Sequence, residues 1–126
     1  MSDKKFQELM NLKKIASEIN TKEIFGKYQK NSEFWDAQIT EVNQRGLSGD
    51  TMLHIAAWQG NQEDINNSIL LGANINSIGD LGNTPLHQAV LSEQTGSIKI
   101  LLEHNINIGI TNESGEKALD IVKRNG

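Results

Sequence analysis

With 126 residues, 37% of them hydrophobic and 22% charged, the chain suffices for one domain with a modest core and is too apolar to be disordered. It contains no Cys, which excludes disulfides, thiolate metal sites and cysteine nucleophiles. The net charge of −4 is uneven: residues 1–30 carry seven Lys against four acids (+3) and residues 31–126 five basic residues against twelve acids (−7), a balance that repels nucleic acid and favours a basic protein partner.

The first residues, MSDKKFQELM, lack the apolar stretch of a secretory signal. No run approaches the roughly 18 apolar residues of a membrane span, so a cytoplasmic address is expected. Residues 3–19 read as an amphipathic helix, with Phe6, Leu9, Met10, Leu12, Ile15, Ala16 and Ile19 roughly on one side. Thr21 and Glu23 open a second short helix that runs through Phe25 and Tyr28. NSEFWDAQI at 31–39 reads as a third, with Ser32 as N-cap and Phe34, Trp35 and Ile39 as its apolar side. Residues 1–40 thus form an N-terminal helical cap, and the basic first helix has a second open role as part of a partner site.

From residue 49 the chain repeats itself. GDTMLHIAAWQG begins at Gly49, GNTPLHQAVLSE at Gly82 and GEKALDIVKRNG at Gly115, an interval of 33. A fixed period of this size marks stacked supersecondary units. Each phrase has Gly, then Thr51, Thr84 or Lys117, then Leu53, Leu86 or Leu119, then His54, His87 or Asp120. Gly allows a left-handed turn. Thr caps a helix, and Pro85 fits the first helical position. Leu53, Ala56 and Ala57 share a face whose small residues let helices approach closely. A second helix follows, as in SIKILLEHN with Ile98, Leu101 and Leu102 on one side, and Gly72 of GANIN is a helix stop.

These residues resemble the ankyrin repeat. TPLHQA at 84–89 matches that family's hallmark, TMLHIAAWQGN at 51–61 is a further match, and LLGANIN at 70–76 resembles the end of its second helix. The resemblance covers about residues 40–126 and includes the period of 33. It implies an all-α solenoid of stacked helix-turn-helix units with short β-hairpin-like fingers. The units are 49–81, 82–114 and a partial 115–126, within a repeat region 41–126. Residues 20–43 read as a degenerate first repeat, since end units of a solenoid are atypical. It also implies protein binding without catalytic machinery. Three departures stand out. Gly46, Gly79 and Asn112 replace the usual Asp of the finger. Glu93 replaces the Gly of the turn between helices, present as Gly60 in the first copy. Asn67 and Ser68 fall where apolar residues are usual and Leu70 and Leu71 where polar ones are, so that helix is either shifted or poorly packed.

No enzyme emerges. In the ankyrin pattern His54 and His87 are structural hydrogen-bonding residues, and Asp120 suits the same role. GDLGNT at 79–84 lacks the Lys of a phosphate loop and reads as a turn. Glu63 and Asp64 suit a helix start rather than paired-carboxylate catalysis. No cluster has zinc spacing, and no cofactor or metal is expected. The family's partner surface is its concave face, formed by finger tips and the outward side of each first helix. Here that surface comprises Leu47, Asp50, Trp58, Gln59, Ile78, Asp80, Leu81, Asn83, Leu91, Ser92, Glu113 and Glu116. Five of these are large and apolar, a patch of the kind that marks interaction sites. The acids around it would steer a basic protein. The chain is therefore read as a non-enzymatic binding module, monomeric before it binds. Its most concrete form is a bacterial immunity protein that neutralises a basic toxin domain. The alternative is an adaptor, scaffold or fragment of a longer ankyrin protein.

Overall fold

The computed structural model describes residues 3–126. Seven α-helices occur among them: α1 (Asp3–Glu18), α2 (Thr21–Gln29), α3 (Met52–Gln59), α4 (Gln62–Leu70), α5 (Pro85–Leu91), α6 (Thr95–Glu103) and α7 (Ala118–Asn125). The first helices α3, α5 and α7 stack in one row, and the second helices α4 and α6 in another. Small residues make this stacking close: Ala56, Ala57 and Ala89 are fully buried beside Leu53, Ile65, Leu101 and Ile121.

Each repeat is entered through a finger, at 46–50, 79–83 and 112–116. Gly46 N donates to Asp50 O (2.8 Å), Gly79 N to Asn83 O (2.8 Å) and Asn112 N to Glu116 O (2.9 Å). One hairpin-type bond closes each finger in place of a strand ladder. Thr51 and Thr84 then cap α3 and α5 as expected.

On the opposite edge a second ladder escaped the sequence reading. Asn43 Oδ1 accepts from Asn74 N (2.7 Å), and 33 residues on Asn76 Oδ1 accepts from Asn107 N (2.8 Å). The third position is Gly109, which has no side-chain oxygen to continue it.

The turn between α3 and α4 has Gly60 at φ 76, the left-handed conformation that suits glycine. Glu93 adopts the same conformation (φ 57) after α5 and meets a side-chain clash that glycine avoids. Glu93→Gly should therefore raise stability by roughly 0.5–1 kcal/mol, less the extra freedom gained by the unfolded chain. A urea titration reads it as a higher midpoint at unchanged slope.

In α4 the sequence left shift or poor packing open. The helix keeps its register, and Ser68 is buried at the position that holds Leu101 one repeat later. Its hydroxyl has no hydrogen-bond partner among the described residues. A buried unsatisfied hydroxyl costs about 1–3 kcal/mol. Ser68→Ala should raise the denaturation midpoint, with a gain of about 1 kcal/mol.

The N-terminal third departs most from expectation. α2 forms as read, with Asn20 Oδ1 accepting from Glu23 N (3.0 Å). Its Tyr28 hydroxyl donates to Asp64 Oδ2 (2.7 Å), and Lys27 pairs with the same oxygen (2.8 Å). Asp64 is thus a tie between α2 and α4, a stronger role than a favourable charge at a helix start. Burial and the bonded Asp64 carboxylate together push the Tyr28 phenol far above its usual range.

The expected third helix over 31–39 is only a 3-10 turn, Ser32–Phe34, capped by Asn31 rather than Ser32. Gln29 explains this, because its side chain captures the following backbone: Nε2 donates to Phe34 O (2.7 Å) and Ala37 O (3.0 Å), and Oε1 accepts from Ile39 N (2.7 Å). Those groups are then unavailable to a helix ladder. Phe34 and Ile39 are buried, while Trp35 points into solvent. None of the residues of α1 is buried, although the helix rests against α4.

Candidate protein-binding groove

The fingers and the outward sides of α3 and α5 enclose an open groove. Asp50, Trp58, Gln59, Asp80, Leu81, Asn83 and Leu91 of the expected surface line it, joined by Asn31, Glu33, Ile55 and Gln88. Leu47, Ile78, Ser92, Glu113 and Glu116 lie outside it. Ile78 is exposed, its carbonyl held by Arg45. The Ser92 hydroxyl back-bonds to Gln88 O (2.8 Å), and Glu116 is engaged with Arg124 (3.0 Å). Asn83 departs from the solvent-facing role read for it. It is buried, with its carbonyl bound by His54 and its side-chain oxygen by Asn112.

Trp58 stands 49% exposed and Leu81 63% exposed, so the groove presents bare apolar surface. Leu81 is also strained, sitting at φ 57 and ψ 21 where its counterparts Ser48 and Ser114 lie just before the finger glycines. A bulky residue in the left-handed region is uncommon, and such strain concentrates at binding sites.

The absent finger aspartates have a physical account. In the third finger Asn112 Oδ1 accepts from Ser114 N and Glu116 N, both at 3.0 Å. In the first finger the equivalent residue is Gly46. Glu33 reaches in from the preceding turn instead, and its Oε2 accepts from Ser48 N (2.8 Å) and Asp50 N (3.2 Å). A Cβ on Gly46 would run into the Glu33 side chain, and one on Gly79 into the Asp50 carboxylate. Asp50 Oδ1 in turn accepts from Asp80 N (2.9 Å). Glycine at these two fingers thus makes room for borrowed carboxylates.

That arrangement concentrates negative charge. Burial raises the Asp50 carboxyl above its ordinary value, and the neighbouring charges of Glu33 and Asp80 add to this. The Asp80 N–H bond and His54 oppose it. Among the described residues no group of three or more His, Cys, Asp and Glu is arranged to hold a metal ion.

His54 and His87 are structural, as read. Nδ1 of His54 accepts from Thr51 N (3.0 Å), and Nδ1 of His87 from Thr84 N (3.1 Å). Each Nε2 therefore carries the proton and donates to the next finger. His54 reaches Ser77 O (2.9 Å) and Asn83 O (3.0 Å), and His87 reaches Glu116 O (2.9 Å). In α7 the Asp120 carboxylate accepts from Lys117 N (2.8 Å) but has no N–H to pass onward.

Two signals could have located the missed groove residues. Ile55 and Gln88 share one repeat position and precede Trp58 and Leu91 by three, which places them on the same helix side. Asn31 and Glu33 had none, because they come from the degenerate first unit.

A family model for ankyrin repeats in three copies matches residues 15–112. Mouse Rabankyrin-5 is 32% identical over 60% of the chain, an aligned part that is 6% of that protein. The zebrafish putative palmitoyltransferase ZDHHC13 is 34% identical over 67% of the chain and 13% of its own length. The putative ankyrin repeat protein FPV031 of fowlpox virus is 35% identical over 60% of the chain and 23% of its own length. The chain spans only a small part of these relatives. The fingers at 46–50 and 79–83, His54, His87 and the helix pairs α3–α4 and α5–α6 lie within the matched residues. The chain belongs to the ankyrin-repeat family, a protein-binding fold.

Proposed function

We propose that the chain is a non-enzymatic module that grips a basic protein in its concave groove. The observation that carries this is the seating of bare Trp58 and Leu81 among the carboxylates of Glu33, Asp50 and Asp80. Clustered like charges destabilise one another, and a cationic side chain laid against them would relieve that cost. The apolar wall supplies affinity and the carboxylates supply orientation and association rate.

In its most concrete form the partner is a toxin domain, such as a basic nuclease, which the chain would neutralise stoichiometrically in the cytoplasm of a bacterium. The adaptor reading has one observation in its favour: the matched relatives are much longer proteins of animals and a poxvirus.

The test is affinity capture with wild type and with Asp50→Asn/Asp80→Asn as parallel baits. The amides keep the shape and the Asp80 N–H bond while removing charge. A basic partner held by wild type, lost from the variant and weakened by salt is the expected result. Equal, salt-insensitive capture by both baits overturns the proposal.

A further inference from the structure

The concave groove does not end at its acidic fingers. Beside α2 it meets a smaller hollow lined by Lys27, Tyr28, Lys30, Asn31 and Gln59. Asn31 and Gln59 line both spaces, so the two adjoin at the end of α3. Glu33, Asp50 and Asp80 line the groove, whereas no acid is among the residues that line the hollow.

The groups around the hollow divide into those already engaged and those left over. The Tyr28 hydroxyl and the Lys27 ammonium both bind Asp64 Oδ2, at 2.7 and 2.8 Å. Asp64 thereby balances the charge of Lys27 and takes the only proton the phenol can donate. The dipole of α2 accounts for a cation near its end, a role Lys27 already fills in the last turn. Lys30 comes after that turn and is exposed, and its ammonium has no partner among the described residues. Asn31 spends its side-chain oxygen on Glu33 N (2.9 Å), which holds the side chain and leaves both hydrogens of Nδ2 unused. The Gln59 amide, exposed at the end of α3, is likewise uncommitted. Lys30 and the free end of Asn31 can only donate, and Gln59 Nε2 adds a third donor, a set that suits an anionic oxygen.

The two ends of the combined space are therefore opposite in sign. A segment that is basic along its whole length would bring like charge against Lys30, which costs affinity. We infer that the occupant is a protein segment carrying a basic and an acidic residue at a fixed separation. The cation lies against Asp50 and Asp80, and the carboxylate lies against Lys30, Asn31 and Gln59. An apolar side chain between them covers Trp58, the neighbour of Gln59 in the chain. This rests on the concave groove as the binding surface and adds a second pole to it. The acidic pole selects cationic partners. The basic pole fixes the direction in which the segment lies and rejects partners without an acid in register.

Peptides recovered from a random library on the immobilised chain test it. Trp58 reports their binding by fluorescence in a Trp35→Phe background, Trp35 being 75% exposed and outside the groove. The peptides should share a basic and an acidic residue at one spacing. Lys30→Glu should weaken their binding about tenfold, since an attraction becomes a repulsion, and Lys30→Gln should weaken it less. Changing the acid of the peptide to Lys should restore binding to Lys30→Glu and weaken binding to wild type. Lys30 is exposed, so both variants should keep the circular dichroism of wild type. Unchanged affinity in Lys30→Glu, or a charge swap that restores nothing, overturns the inference and leaves the concave groove standing. So do peptides that share a basic residue and no acid. Peptides that share no basic residue, or a library that yields no binder, overturn the concave reading and this inference with it.

Discussion

His54→Ala should cost about 3 kcal/mol or more of stability, the largest loss expected from any single polar side chain here. His54 is fully buried. Its removal strands Thr51 N and Ser77 O, at 3.0 and 2.9 Å from the ring nitrogens, and takes from Asn83 O one of its two donors, leaving it Gly79 N. Buried groups left without partners cost about 1–3 kcal/mol apiece, and the vacated ring volume adds a cavity term. Domains of this class have only about 5–15 kcal/mol in total. His87→Ala should cost less, because its Nε2 reaches a single partly buried carbonyl, Glu116 O. Urea unfolding of both variants checks the order.

The same ring gives a pH dependence with a definite sign. Burial lowers the His54 pKa below its ordinary 6.5, outweighing the opposing pull of Asp50 and of the two carbonyls. The unfolded chain therefore binds the proton more readily than the fold does. The stabilising difference is complete above pH 6.5 and is lost as pH falls through the lowered folded value. Asp50 acts in the opposite sense: its raised pKa favours the fold at pH values below 3.8, a contribution lost as pH rises through the folded value. Stability should thus decline on acidification from about pH 6.5, with a slope of at most about 1.4 kcal/mol per pH unit from this group. In His54→Gln that component should vanish, although the variant is less stable throughout. An acid limb as steep in the variant as in wild type would assign the effect to other groups.

What the sequence made legible is what the repeat dictates. Thr51, His54, Thr84 and His87 recur at one spacing because each executes the same local bond pattern, and the stacked row of first helices follows from Leu53, Ala56 and Ala57. The groove was legible as far as it belongs to that pattern: Trp58, Leu81, Asp50 and Asp80 meet where the register places them. Contacts between residues far apart in sequence were not legible. Glu33 serves a finger 15 residues away and takes over the work of an absent side chain. Gln29 dissolves an expected helix by binding backbone up to ten residues on. Both lie in the degenerate unit, where no second copy supplies a template. The buried Asn83 shows a further limit: a repeat position fixes where a residue sits, while its bonds with Asn112 and His54 decide how much of it meets solvent.

Trp58→Ala should weaken partner binding by about 2 kcal/mol or more, roughly thirtyfold in Kd, while leaving the denaturation midpoint nearly unchanged. The two halves of that expectation have separate causes. Trp58 ends the buried run of α3 and is half exposed, so the free protein recovers little from its ring. A partner that closes the groove would bury the ring against Leu81 and Leu91, which line the same space. Truncated aromatic anchors in such settings lose transfer free energy and leave water in the interface. Leu81→Asn makes the complementary case. Asn tolerates the left-handed backbone that strains Leu81, and the backbone bond from Glu113 N to Leu81 O (3.0 Å) is kept. That variant should be at least as stable as wild type and bind less well, and calorimetry beside thermal unfolding reads both. Gain in stability with loss of binding at one residue would mean that the strain is maintained for the groove. Unchanged affinity in both variants would move the binding surface away from the concave face, and the search would turn to the exposed half of α1.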